Sequence, residues 1–151
     1  MLTSARNHLT GTVTAIVAGA VNDEIELTLA GGKKLVATIT HSSVHYLDLR
    51  LGGEASAFIK APWVILTTAG TGLRFSARNQ FTGSITNIVK GAINSEVTVA
   101  VDASMSLVSV ITNESVAGMR LKDGDEVIAL VKASSIVLAT HDSPPITAGN
   151  P

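Results

Sequence analysis

This chain has no cysteine, few aromatic residues and few charged residues. The absence of cysteine excludes disulfides, thiolate metal ligands and cysteine nucleophiles. Aromatic residues make up 3% and charged residues 15% of the 151 positions, and the formal net charge is −1. Binding of single-stranded nucleic acid uses aromatic stacking platforms and basic grooves, so this composition argues against nucleic acid as a partner. An anionic ligand would have to be held by a few well-placed donors.

Long apolar runs are also absent. No run approaches the roughly 18 residues of a membrane span, and the first residues lack the basic and apolar regions of a signal peptide. We therefore predict a cytoplasmic protein with no membrane partner. Hydrophobic residues nevertheless make up 46% of the chain. This high share favours burial of part of the surface in a homo-oligomer.

The sequence does contain an internal repeat. Ser-Ala-Arg-Asn occupies residues 4–7 and again residues 76–79, and the register holds without a gap to the Lys-Ala pairs at 60–61 and 132–133. A self-similar chain is interpreted as copies of one structural unit. The predicted organisation is a first unit over 1–70, a short flexible joint over 67–72, a second unit over 73–140 and a flexible C-terminal tail over 141–151.

Hydrophobic alternation predicts that both units are all-β. The predicted strands cover 12–17, 24–29, 34–40, 55–60 and 63–66 in the first unit, and 84–89, 96–101, 107–112, 126–132 and 136–138 in the second. One short helix is predicted in each unit, beginning near Thr40 and running over 113–119. Five short strands and one helix per unit predict two tandem OB-like five-stranded β-barrels.

The polar residues retained in both copies are mostly hydrogen-bond donors. They form four clusters, which read Ser-Ala-Arg-Asn with a following glycine, Gly-Ala-[Val/Ile]-Asn-x-Glu, Thr-x-x-Ser-Val and Lys-Ala. Donors without acceptors suit a fully deprotonated tetrahedral oxyanion. Monohydrogen phosphate is disfavoured because its proton would find no acceptor. Sulfate carries no proton and is not disfavoured in this way, so the site would have to distinguish it by size.

These four motifs, in the same order in both copies, resemble those of the molbindin family, the Mop domains that bind molybdate and tungstate. The resemblance covers about residues 2–140, and two units without other domains resemble the di-Mop storage proteins. It implies OB-like barrels assembled into a homotrimer, with a molybdate or tungstate oxyanion held in pockets between neighbouring units. It implies neither catalytic residues nor a bound metal cation.

The resemblance also implies which residues contact molybdate. In the first copy they are Ser4, Ala5, Arg6, Lys60 and Ala61, with Thr40 and Ser43 supplied by an adjacent unit or subunit. In the second copy they are Ser76, Ala77, Arg78, Lys132 and Ala133, with Thr112 and Ser115. A second class of site, near the symmetry axis, is assigned to the loops formed by Gly19, Ala20, Val21 and Asn22 and by Gly91, Ala92, Ile93 and Asn94. Their backbone N–H groups are predicted to form an anion nest.

Several of these residues have a second interpretation. The threonine and serine hydroxyls are also suited to capping the short helices, and Asn22 and Asn94 are suited to forming turns. Pro62 stands where the second copy has Ser134, and proline has no N–H, so the two pockets are predicted to differ in affinity. The four histidines, which have no counterpart in the other copy, are predicted to be scattered on the surface. They are His8, His41, His45 and His141.

The sequence thus predicts a cytoplasmic molybdate-binding protein for molybdenum storage and homeostasis, and not an enzyme. Two alternatives remain open at this point. One is a ligand-sensing partner of a molybdate-responsive regulator or transporter. The other is an OB-type oligonucleotide-binding module.

Overall fold

Two antiparallel sheets of five strands form the framework of the computed structural model, which describes residues 3–142. The first half of the chain supplies β1 (Asn7–Val17), β2 (Asn22–Leu29), β3 (Lys34–Thr40), β4 (Glu54–Ile59) and β5 (Ile65–Thr68). The second half supplies β6 (Asn79–Lys90), β7 (Asn94–Asp102), β8 (Met105–Thr112), β9 (Glu126–Val131) and β10 (Val137–Ala139). Two short helices, α1 (His41–Tyr46) and α2 (Asn113–Met119), follow β3 and β8. The predicted all-β fold is confirmed. Most of the predicted C-terminal tail, residues 143–151, lies outside the described residues.

The last strand of each half belongs to the sheet of the other half. The strand orders are β10-β4-β1-β2-β3 and β5-β9-β6-β7-β8. In the first sheet, β10 pairs antiparallel with β4 and places Leu138 opposite Ala57. In the second sheet, β5 pairs with β9 and places Leu66 opposite Ala129. Each half therefore completes the sheet of the other, and the two halves are interlocked.

The segment around β5 differs from the sequence prediction. Residues Ala61–Trp63 form a 3-10 turn with Pro62 in its first positions, and the strand begins at Ile65. The second half forms the same turn without proline at Ala133–Ser135, and its strand begins at the equivalent residue, Val137, so the turn itself accounts for the later start. The predicted flexible joint is wrong for Thr67 and Thr68, because both pair with β9.

One continuous cluster of buried apolar side chains runs through both halves. Val13, Ile25 and Leu35 contribute from the first half, and Val97 and Leu107 from the second. The alternation of these strands explains the arrangement, because every second side chain faces inward. The exchanged strands extend this core from one sheet to the other, so the protein is stabilised as one unit.

A glycine retained in both copies lies where a neighbouring strand approaches closely. A Cβ atom on Gly83 would lie 2.4 Å from the carbonyl oxygen of Ala100 and 2.8 Å from Cγ1 of Val99. Such contacts force the backbone to shift. We expect Gly83→Ala to lower the free energy of unfolding by about 1–3 kcal/mol, the typical cost of overpacking. Urea denaturation measures this loss.

Gly118→Ala is the matched control, since a Cβ atom on this helical glycine would meet no heavy atom within 4 Å. Alanine also favours helix over glycine. We expect the control to keep or slightly raise the stability. Equal losses in the two variants would contradict the steric explanation.

Candidate functional site

The arginine and lysine clusters are brought together by the pairing of β1 with β4. Asn7 lies opposite Ile59 in this ladder, so Arg6 and Lys60 lie just beyond the same end of two adjacent strands. The pairing of β6 with β9 repeats the arrangement in the second half. The residues gathered at these two places are Ser4, Ala5, Arg6, Lys60 and Ala61 in the first half and Ser76, Ala77, Arg78, Lys132 and Ala133 in the second. Each half therefore places an arginine and a lysine just beyond the same end of two adjacent interior strands.

Each arginine of these clusters is held by a glutamate of the other half. A guanidinium nitrogen of Arg6 donates to Oε1 of Glu96 at 2.8 Å, and Arg78 donates to Glu24 in the same way. This hydrogen bond lowers the pKa of Glu96 and raises the pKa of Arg6. A guanidinium carries five N–H donors. The bond to glutamate therefore orients the arginine and leaves further donors for an anion.

The predicted threonine and serine ligands lie at the N-termini of the two helices. Oγ1 of Thr40 accepts a hydrogen bond from the backbone N–H of Ser43 at 3.2 Å, and the two hydroxyl oxygens are 2.7 Å apart. In the second half, Oγ1 of Thr112 accepts from the N–H of Ser115 at 3.0 Å, and it lies 2.8 Å from the serine hydroxyl. The capping role is thus present in both copies. It also holds each pair of hydroxyls in a fixed arrangement.

Thr40 and Ser43 face a segment of the other half. They line a cleft of about 380 Å³ together with residues 136–138. That segment follows Lys132 and the 3-10 turn Ala133–Ser135, which packs against β3. The sequence left open whether these hydroxyls meet an adjacent unit or an adjacent subunit. Within the chain they lie toward the Lys-Ala pair of the second half.

The reciprocal arrangement occurs on the other side of the molecule. The turn Ala61–Trp63 packs against β8, and Oγ of Ser109 on that strand donates to the carbonyl oxygen of Val64 at 2.6 Å. This strand continues to Thr112, the cap of α2. The Lys-Ala pair of the first half therefore lies toward the hydroxyl pair of the second half.

The loops assigned to the second class of site are tight turns. A Cβ atom on Gly19 would lie 2.2 Å from the carbonyl oxygen of Asn22, and one on Gly91 would lie 2.7 Å from that of Asn94. The N–H of Gly19 donates to Oδ1 of Asp23, and the N–H of Gly91 donates to the carbonyl oxygen of Asn94. These two N–H groups are therefore already used within the loops. The tight turn explains why glycine is retained in both copies.

The first of these loops lies close to an arginine of the other half. Gly19 and Asn22 line a shallow cleft of about 400 Å³ together with Glu24 and Arg78. Arg78 is 57% exposed and is bonded to Glu24. The two predicted classes of site therefore adjoin each other at this cleft.

Lys60 has a neighbour that Lys132 lacks. Its Nζ lies 5.8 Å from the centre of the Trp63 ring, a cation–π distance. The second copy has Ser135 at the position of Trp63. The environments of the two lysines therefore differ, in addition to the exchange of Ser134 for Pro62.

Asn7 and Asn79 have a structural role that the motifs alone do not reveal. Each is buried and joins the two halves. The amide nitrogen of Asn7 donates to the carbonyl oxygens of Ile59 at 3.2 Å and Val108 at 2.8 Å, and its Oδ1 accepts from the N–H of Val108 at 2.7 Å. Asn79 makes the equivalent bonds to Val131 and Val36. The retention of Asn in both Ser-Ala-Arg-Asn motifs was the available signal.

The interlocked sheets, repeated in the two halves, define a tandem β-barrel protein. The model of the TOBE domain matches residues 3–66 and 76–138. The chain belongs to the TOBE domain family, and the resemblance to tandem Mop domains is confirmed. Among residues 3–142, none of the helices has the length and hydropathy needed to cross a membrane.

The relatives of this chain are named for molybdenum. MopA of Rhodobacter capsulatus, a molybdenum-pterin-binding protein, is 40% identical over 139 residues, which are 92% of this chain and 52% of that protein. ModE of Herbaspirillum seropedicae, a molybdenum transport protein, is 35% identical over 141 residues, which are 93% of this chain and 52% of that protein. The chain thus spans about half the length of these curated relatives.

A solved structure resembles the whole described fold. The crystal structure of the cytoplasmic molybdate-binding protein ModG, with molybdate bound, has a TM-score of 0.89 and 45% sequence identity. The match covers 93% of this chain and 100% of that one. The tandem barrel architecture is therefore common to both proteins.

Proposed function

We propose that this protein binds molybdate, and also tungstate, for storage and homeostasis of molybdenum, and that it is not an enzyme. The observation that carries the proposal is that Arg6 and Lys60 lie just beyond the paired ends of β1 and β4, and Arg78 and Lys132 just beyond those of β6 and β9. The likeness to ModG, whose crystal structure contains molybdate, supports the choice of ligand. The same likeness supports a cytoplasmic location.

The chemistry of the donors favours this class of anion. Guanidinium, ammonium, hydroxyl and backbone N–H groups all donate to an oxyanion that carries no proton. Leaving a buried donor or a ligand proton without a partner costs about 1–3 kcal/mol. Molybdate and tungstate are tetrahedral dianions without a proton at neutral pH, whereas phosphate keeps one. Sulfate is also a dianion without a proton, so it has to be separated from molybdate by its smaller size.

In this proposal, each pocket combines donors from both sequence units, 1–70 and 73–140. The arginine, lysine and alanine cluster of one unit provides one side, and the hydroxyl pair of another unit provides the other. The second class of site, on the loops 19–22 and 91–94, is proposed to lie between subunits near a symmetry axis. The packing of the turn Ala61–Trp63 on β8 and of Ala133–Ser135 on β3 supports the sharing of donors between units.

We further propose that the protein is a homotrimer. Tyr46, Val21 and Ile93 are 89%, 71% and 75% exposed, although all three side chains are large and apolar. Exposed apolar groups of this size are typical of surfaces that are covered by another chain. Val21 and Ile93 lie at the tips of the two loops assigned to the second class of site.

Calorimetry at neutral pH tests the ligand. Titration with molybdate or tungstate should release or absorb heat with saturable stoichiometry, and sulfate and phosphate at the same concentrations should not. Absence of molybdate binding by the purified protein would contradict the proposal. A fluorescence anisotropy titration with single-stranded DNA is the matching negative control, because the chain has a net charge of −1 and few aromatic residues.

Native mass spectrometry tests the assembly and the anion count together. We expect the mass of three chains, increased by whole numbers of molybdate when the anion is present. A monomeric mass in both conditions would contradict the trimer, and it would leave the calorimetric result to decide molybdate binding by itself.

A further inference from the structure

Two of the four histidines, which the sequence predicted to be scattered, contact each other in the structure. His41 and His45 lie four residues apart on α1, so they share one face of the helix. Their Nε2 atoms are 3.2 Å apart, and their rings meet edge to face with centroids 4.8 Å apart. Both residues are exposed. The facing nitrogens are therefore open to solvent.

The separation of these nitrogens suits a metal chelate. Imidazole nitrogens bind Zn²⁺ at about 2.0–2.1 Å, and at ligand angles of about 90–109° two such nitrogens lie about 2.8–3.4 Å apart. The observed 3.2 Å falls within this range. The same separation of the two Nε2 atoms also suits an N–H···N hydrogen bond in which one of them carries a proton. A metal ion would take the place of that proton, which would move to Nδ1 of the same ring.

A buried carboxylate sets the orientation of one of the rings. Oδ2 of Asp23 lies 2.8 Å from Nδ1 of His41, and Asp23 is only 1% exposed. Oδ1 of Asp23 also accepts a hydrogen bond from the N–H of Gly19 at 3.0 Å, so both oxygens of this carboxylate act as acceptors. Nδ1 of His41 is therefore the donor, and Nε2 presents its lone pair toward His45. Carboxylate–histidine pairs of this kind orient the ring and raise its basicity at metal sites.

The second half of the chain has the same fold at this place without the imidazoles. Ser95, Asn113 and Ala117 stand at the positions of Asp23, His41 and His45. Oγ of Ser95 donates to Oδ1 of Asn113 at 2.5 Å, so a neutral pair replaces the charged one. All three positions differ together between the copies, and α2 still forms. The fold therefore does not require the Asp-His-His set, which favours a separate role for it.

We propose that His41 and His45 bind a divalent transition-metal ion of the zinc type, with Asp23 as the residue that positions His41. Imidazole nitrogens suit Zn²⁺, Cu²⁺ and Ni²⁺ rather than Mg²⁺ or Ca²⁺. Within residues 3–142, no group of three His, Cys, Asp or Glu side chains surrounds this point. The remaining ligands are therefore water, or side chains of another subunit. Asp23 also lines the cleft shared by Gly19 and Arg78, so the site adjoins the proposed oxyanion pockets, and its test is made without molybdate.

Isothermal titration calorimetry of the metal-free full chain with ZnCl₂, without molybdate, tests the site. We expect one Zn²⁺ per chain. His45→Ala should weaken binding at least tenfold, because it removes one of the two nitrogens and introduces the residue found in the second half. Asp23→Ser should weaken it about tenfold or more, the usual effect of losing a carboxylate behind a ligating histidine. His8→Gln, which also copies the second half, is the matched control and should bind as the wild type does.

Two readouts keep the test independent of folding. His45 is exposed, so its variant should unfold at the wild-type temperature, and the ¹⁵N resonance of Nε2 of His41 should shift on addition of Zn²⁺. The proposal is overturned if the wild type binds no stoichiometric Zn²⁺. It is equally overturned if His45→Ala binds Zn²⁺ as tightly as the wild type, or if His8→Gln loses as much affinity as His45→Ala.

Discussion

Replacement of Arg6 by alanine should weaken molybdate binding about 10- to 100-fold at the pockets that contain this residue. The expected loss follows from the removal of charge-assisted hydrogen bonds to a dianion, which are among the stronger interactions in a protein. Calorimetry should show fewer tight sites per oligomer, because the pockets around Arg78 keep their guanidinium. The oligomer itself should persist, which native mass spectrometry checks.

The control for this experiment is Arg50→Ala. Arg50 is 77% exposed and pairs with Asp48 close to it in sequence, so its removal takes away one positive charge without touching the donor clusters. Loss of the bond between Arg6 and Glu96 should affect stability little, since ion pairs between exposed groups contribute little. Unchanged molybdate stoichiometry and affinity in Arg6→Ala would show that Arg6 is not a ligand. An equal effect of Arg50→Ala would indicate that net charge alone matters.

Replacement of Asn7 by alanine should lower the free energy of unfolding by about 3 kcal/mol or more. Its amide nitrogen donates hydrogen bonds to the carbonyl oxygens of Ile59 and Val108, and its amide oxygen accepts one from the N–H of Val108. Each buried group left without a partner costs about 1–3 kcal/mol. Because Asn7 joins a strand of one half to a strand of the other, the transition should shift for the whole molecule. Urea denaturation followed by circular dichroism measures the shift.

Asn87→Ala is the matched control for this measurement. Asn87 lies in β6 but is exposed, so the same substitution there removes an amide that faces solvent. We expect a change within about 0.5 kcal/mol, as for most surface substitutions. If Asn7→Ala costs no more than this control, the bonds to Val108 do not stabilise the assembly of the two halves.

Most of the fold could be predicted from the repeat and the alternation of apolar residues. The position of α2 and the bounds of β3 agree with the sequence predictions. The exchange of β5 and β10 could not be predicted, for a physical reason. Leu66 lies opposite Ala129 and Leu138 lies opposite Ala57, so the two exchanged pairs consist of the same residue types. At this position the local pairing preference is therefore the same for either sheet, and it does not distinguish the exchanged arrangement from pairing within each half.

For the candidate site, the sequence predicted the retained donors but not their contacts. The motifs identified which donors are retained, and the strand register places Arg6 and Lys60 just beyond the same paired strand ends. The partners of these donors could not be inferred, because they come from distant parts of the chain. The bond between Arg6 and Glu96 and the bonds of Asn7 to Val108 both cross from one half to the other. Comparison of the two copies shows which residues are retained, but it does not show which half each retained residue contacts.

The exchanged strand also governs the order of events during synthesis. The sheet that contains β1 needs β10, which lies near the end of the described chain. The N-terminal half therefore cannot complete its sheet while the ribosome is still making the C-terminal half, although domains generally fold as they emerge. Pairing across so many residues is slow compared with local pairing. During synthesis β4 therefore remains an unpaired edge strand, and the first sheet is completed only when β10 has left the ribosome.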